Sequence, residues 1–98
     1  MKKTLGAGQR IFKYVLPLSD DPIVPMPIGA EVISAQGQDL TPVIWAIVDP
    51  DQPTVQRRFR IVGTGHPCED VDFDQFVGTV QLHGERLVFH VFDMGEVS

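Results

Sequence analysis

Apolar and polar residues alternate with a period of two along most of this chain, and clusters of Gly, Pro and Asp interrupt the alternation. Period two marks strands, whose successive side chains point to opposite faces. From Arg10 to Leu18, Ile11, Lys13 and Val15 stand against Phe12, Tyr14 and Leu16, which predicts a first strand with its more apolar face inward. Asp20-Asp21-Pro22 turns the chain, and Ile23–Met26 is a short extended piece whose Pro25 lacks a donor and suits a sheet edge. After a second turn at Pro27-Ile28-Gly29, Glu31–Gln38 and Pro42–Asp49 read as a hairpin joined around Gly37, Asp39 and Leu40. Val43–Val48 (VIWAIV) is apolar on both faces, as expected of a strand covered on both sides.

The segment Asp49-Pro50-Asp51-Gln52-Pro53 breaks the pattern before Thr54–Val62 resumes it. Beyond the acidic stretch Pro67–Asp74, Gln75–His83 and Arg86–Asp93 flank Gly84-Glu85, which predicts a type II′ hairpin. In that register Leu82 faces Leu87, Val80 faces Phe89 and Thr79 faces His90. One face then carries Phe76, Val80, Leu82, Leu87, Phe89 and Val91. The other carries Val77, Thr79, Gln81, His83, Arg86, Val88, His90 and Phe92. The expected fold is all-β: a small antiparallel sandwich or barrel of about seven short strands, with room for one short helix in the 68–76 loop. Residues 1–9, aperiodic and rich in Gly and Lys, are expected to form a flexible terminus ahead of a single β-rich domain over 10–98.

Composition narrows the function classes. A chain of 98 residues suffices for one domain with an adequate core. Its net charge of −5 argues against nonspecific binding to a phosphate backbone, so no direct nucleic-acid partner is expected. The single cysteine, Cys68, has no intramolecular partner and suits a reducing compartment. No apolar h-region follows Met1-Lys2-Lys3, and no stretch approaches the roughly 20 apolar residues of a spanning helix, so a cytoplasmic protein without a membrane association is expected.

The most chemically suggestive stretch is Val55–Pro67, VQRRFRIVGTGHP. Alternation puts Val55, Arg57, Phe59 and Ile61 on one face and Gln56, Arg58, Arg60 and Val62 on the other, so Arg58 and Arg60 share a side. The Gly63-Thr64-Gly65-His66 turn that follows offers two residues without Cβ, whose amides could form an anion-binding nest beside the guanidinium groups. Glycines at a strand end also serve tight corners, and two alternate arginines on a solvated strand face could instead pair with the acidic loop. The candidate ligand site is therefore Arg58, Arg60, Gly63, Thr64, Gly65 and His66, with His90 as an outlying member.

Taken in order, Lys13-Tyr14, Pro27-x-Gly29-Ala30, Trp45 with Val48-Asp49-Pro50, the run Phe59–Pro67, Val77-Gly78-Thr79 and Leu87–Phe92 (LVFHVF) carry a resemblance. Over residues 11–93 the chain resembles a family of small uncharacterised proteins encoded by tailed bacteriophages and prophages. The resemblance implies an accessory protein made in the cytoplasm of an infected bacterium, where such products often blunt host defences or redirect host enzymes.

Other constellations are weaker. His66, His83 and His90 fall on separate strands or turns without zinc-ligand spacing, so no metal is expected, and nothing implies a cofactor. His90 is expected to hydrogen-bond across to Thr79 or Gln81. Glu69 and Asp70 would raise the thiol pKa of Cys68, which disfavours a catalytic cysteine. Trp45 could stack on a base, although a lone Trp in VIWAIV more often belongs to a core. The leading expectation is a non-enzymatic protein that binds a small anionic ligand, such as a signalling nucleotide, or a host factor. The alternatives are an acidic inhibitor or nucleic-acid mimic that uses Glu69–Asp74 with Asp20 and Asp21, and, last, a small hydrolase using His66. Exposed sheet edges favour a homodimer.

Overall fold

The computed structural model describes residues 4–84 and 86–97. Seven strands form: β1 (Arg10–Val15), β2 (Ile23–Pro27), β3 (Glu31–Gln38), β4 (Thr41–Val48), β5 (Thr54–Gly63), β6 (Phe76–Leu82) and β7 (Leu87–Glu96), with one 3-10 turn at Phe73–Gln75. They make two antiparallel sheets, in the orders β1-β4-β3 and β2-β5-β7-β6. The all-β expectation holds, including the short helical turn inside the 68–76 loop. Residues 6–9 form a turn closed by Gln9 N–H on the Gly6 carbonyl at 3.1 Å. The expected loose terminus at 1–3, the Glu85 half of the last hairpin turn and residue 98 lie outside the described residues.

The sheets enclose Leu16, Met26, Ile44, Phe59, Val80 and Val91, each almost wholly buried. On one side the layers meet directly. Gly37 of β3 approaches the Gln81 backbone of β6 so closely that a Cβ would overlap the Gln81 carbonyl oxygen, and Gly78 of β6 lies against Ala35 of β3. Gly37 therefore belongs to the ladder, opposite Pro42, while Asp39, at φ 55°, takes the left-handed conformation of the hairpin turn.

The β6–β7 register is the one expected, with Leu82 opposite Leu87, Val80 opposite Phe89 and Thr79 opposite His90. The inward set is not. A bulge between Phe76 and Gly78 shifts the phase, so Val77 packs on the core and Phe76 turns out to meet Phe92 edge-on, with ring centroids 5.5 Å apart. β4 likewise departs from double burial: Ile44, Ala46 and Val48 face the core, but Trp45 and Ile47 are only half-buried on the outer face. The Trp45 indole N–H donates to Gln36 Oε1 at 3.3 Å.

One topological feature positions the candidate site. β5 and β6 both run antiparallel to β7, which lies between them, so they are parallel to each other. Their connection, residues 64–75, must travel back along the length of the sheet. The GTGH turn begins this crossover and the acidic loop forms most of it.

Candidate functional site

The three arginines of β5 have different surroundings. Arg57 points inward among apolar side chains, and an inward cation needs a carboxylate. Asp93 of β7 supplies one, accepting from Arg57 Nε at 2.9 Å and from Nη2 at 2.7 Å, while Nη1 donates to the Ala30 carbonyl at 2.8 Å. The hydrogen bonds to Asp93 hold the guanidinium pKa above its ordinary value, against the opposing effect of burial. Glu96 completes the cluster, with one oxygen 3.8 Å from Arg57 Nη1 and the same oxygen accepting the Gly29 N–H at 2.7 Å. A bulge that leaves Met94 without an opposite residue, with Gly95 at φ 95°, separates these two carboxylates along β7. The cluster ties β5 and β7 to the β2–β3 turn. It was legible as a charged residue in the inward phase of β5 and an acid ending the LVFHVF run.

Arg60 is saturated by a different pair. Residues 20–22 continue the β2 register along β5, with Ile61 N–H on the Asp20 carbonyl at 3.0 Å and Phe59 N–H on the Pro22 carbonyl at 2.9 Å. Asp21 thus comes opposite Arg60 and accepts from Nε at 2.9 Å. Asp70 of the crossover accepts from Nη1 at 2.6 Å and also contacts Nη2. These hydrogen bonds, Asp70 first, raise the Arg60 pKa, and Arg60 holds the Asp70 carboxyl below its usual value.

The Arg58 guanidinium makes no hydrogen bond or close ion pair among the described residues and acts on Asp70 only through a weaker coulombic attraction. It lines a shallow hollow with Ile23, Met94, Gly95, Glu96 and Val97. Arg60 instead lines a hollow of about 310 Å³ with Asp20, Asp21, Gly63, His66 and Pro67. The structure therefore brings Arg60, Gly63 and His66 together and puts Arg58 elsewhere.

The turn amides are largely occupied. Thr64 N–H donates to the Val88 carbonyl at 3.3 Å and His66 N–H to the Gly63 carbonyl at 3.0 Å. Gly65, exposed at the tip, has φ 88°, which favours glycine. The His66 ring lies over Gly63, where a Cβ would stand 3.1 Å from Nδ1. His90 is held at both nitrogens, with Thr64 Oγ1 2.8 Å from Nε2 and Thr79 Oγ1 3.0 Å from Nδ1. Each hydroxyl donates to or accepts from the ring nitrogen it faces according to the tautomer of the imidazole. His90 so links the turn to β6 and β7.

A second hollow, of about 480 Å³, opens on the other side of His66, lined by Thr64, His66, Arg86, Leu87, Val88 and Phe89. Arg86, which the strand pattern assigned only to a mixed face, contributes its cation here. Among the described residues neither the Arg86 guanidinium nor the His66 ring has a hydrogen bond or ion pair, and no group of three or more His, Cys, Asp or Glu is placed to hold a metal ion. Cys68 is an exposed free thiol on the crossover.

No helix among the described residues is long and apolar enough to cross a membrane. No curated protein and no solved structure matches the chain. A family model does match, over residues 7–97. The chain belongs to the family described as a domain of unknown function, DUF7352.

Proposed function

We propose that this protein acts by binding, and that its ligand is a small anion with an apolar or planar body, received in the hollow between the GTGH turn and the β6–β7 turn. The observation that carries this reading is the contrast among cations. Arg57 and Arg60 already carry carboxylates and Arg58 shares its hollow with Glu96, whereas Arg86 stands without a partner among the described residues over an apolar floor of Leu87, Val88 and Phe89. A volume of about 480 Å³ lies within the range of small-molecule sites. Arg86 would hold the charge, His66 would donate or accept beside it, and the floor would take the apolar body. The hollow beside Arg60 suits an anion poorly, since Asp20 and Asp21 repel one. The resemblance to phage proteins supports an accessory role in an infected bacterium.

The test is amide chemical-shift mapping with inorganic phosphate, mononucleotides and cyclic dinucleotides. Binding is expected to move the resonances of Thr64–His66 and Arg86–Phe89, and to weaken at least tenfold in Arg86→Ala, but not in Arg58→Ala. Shifts confined to the Arg58 hollow, or none with any ligand, would defeat it.

A second reading rests on an equally specific observation: Arg60 draws Asp70 to Asp21, so the acidic crossover and the Asp20-Asp21 turn form one surface. Such a surface suits a protein that occupies a basic channel on a host enzyme. Asp72→Lys with Asp74→Lys tests it, because neither residue belongs to the Arg60 contact. Loss of host-protein capture would support the mimic, and unchanged capture would remove it.

A further inference from the structure

The four sheet edges are treated unequally. The edges of β3 and β6 meet each other at Gly37 and Gly78. In β2, the bonds from Phe59 to Pro22 and from Ile61 to Asp20 show that even-numbered residues face β5, so Pro25 and Pro27 occupy positions whose N–H would point outward. That edge is blunted by its prolines. β1 has no such protection. Leu16 N–H donates to the carbonyl of Pro42, the residue opposite it, so even-numbered residues of β1 face β4 and Ile11, Lys13 and Val15 turn both backbone groups to the open side. No described strand other than β4 pairs with β1. Its apolar side chains are also exposed on both faces, Ile11 and Val15 at 55% and Phe12 at 42%.

We propose that β1 is a dimerisation edge, pairing antiparallel with β1 of a second copy to join two three-stranded sheets into one of six strands. Unpaired backbone groups call for a strand, and an antiparallel copy of the same strand is self-complementary about a twofold axis. Charge selects the register. Placing Lys13 opposite Lys13 of the second copy would set like charges face to face, which is unfavourable. Moving the axis to Phe12 puts Lys13 opposite Ile11 and Arg10 opposite Tyr14, and brings the two Phe12 rings together at a non-hydrogen-bonded position, where side chains lie closest. The Phe12 pair lies on the face that carries Tyr14 and Leu16 into the core, so it extends the core across the axis.

Two measurements test this. Sedimentation of the full chain is expected to show a dimer, and Lys13→Pro, which removes an outward donor without touching the β1–β4 ladder, is expected to raise the dissociation constant about tenfold or more. Circular dichroism verifies that the variant is folded. In a Cys68→Ser background, Phe12→Cys is expected to form an intermolecular disulfide on mild oxidation, and Lys13→Cys is not. A chain monomeric at every concentration, including one whose β1 takes only a foreign strand, overturns the proposal. So does a dimer indifferent to Lys13→Pro, or one cross-linked through position 13 instead of 12.

Discussion

Arg60 grips Asp70 with two nitrogens of its guanidinium group, and through that contact β5 holds down the crossover that passes over its own sheet. A carboxylate held this way has its pKa lowered by the hydrogen bonds from Arg60, so the folded chain binds fewer protons at this site than the unfolded chain. The contribution to stability is complete above the unfolded carboxylate value of about 4. It fades as pH falls through that value to the lower folded one. Denaturation midpoints measured down this range are expected to decline, and Arg60→Gln is expected to flatten the part of the decline due to Asp70.

Releasing the same contact should mobilise the crossover before it unfolds the sandwich. In Asp70→Asn, limited proteolysis is expected to cut within residues 64–75 faster than in the parent chain, with the global unfolding midpoint little changed. Equal cutting rates would mean that the 3-10 turn, held by Asp72 N–H on Gln75 Oε1 at 2.7 Å and by contacts with β7, secures the crossover without Arg60.

Gly37 and Gly78 sit on the same seam but should respond differently to a methyl group. Gly37→Ala drives its Cβ into the Gln81 carbonyl, a backbone atom that cannot rotate away, and is expected to destabilise by about 1–3 kcal/mol. In Gly78→Ala the nearest atom is the Ala35 Cβ at 3.5 Å, an ordinary contact, so the change is expected to be much smaller. Urea denaturation of the two variants side by side makes the comparison.

Asp93→Asn leaves the Arg57 guanidinium with only its longer contact to Glu96, in a site that water reaches only partly. The expected loss is about 1–2 kcal/mol, below that of a fully buried pair because both side chains retain some exposure. Replacing both partners, as Arg57→Met with Asp93→Leu, should cost less than the single change. Thermal denaturation of single and double variants would show whether this order holds.

What alternation can report, it reported: strand positions, the β6–β7 register, and a bond from His90 across to Thr79 or Gln81, which is made to Thr79. It fails where one extra residue shifts the phase, as at Phe76, because a bulge has no fixed sequence signature. The two hollows were illegible for another reason. Whether Arg60 faces ligand or carboxylate depends on which distant segment lies opposite it, and the Asp21 pairing follows from the β2–β5 register, which local pattern does not encode. Arg86 was overlooked because a cation at a hairpin end looks solvated until the GTGH turn is folded beside it.

β7 follows β5 and β6 in the sequence but lies between them in the sheet, and this has a consequence during synthesis. When β5 and β6 have been made, β5 can pair with β2 alone and β6 has no neighbour in its sheet until β7 follows. The ten-residue edge of β5 that faces β7 therefore waits for the β6–β7 hairpin to arrive as a unit, and closure of this layer is a concerted event.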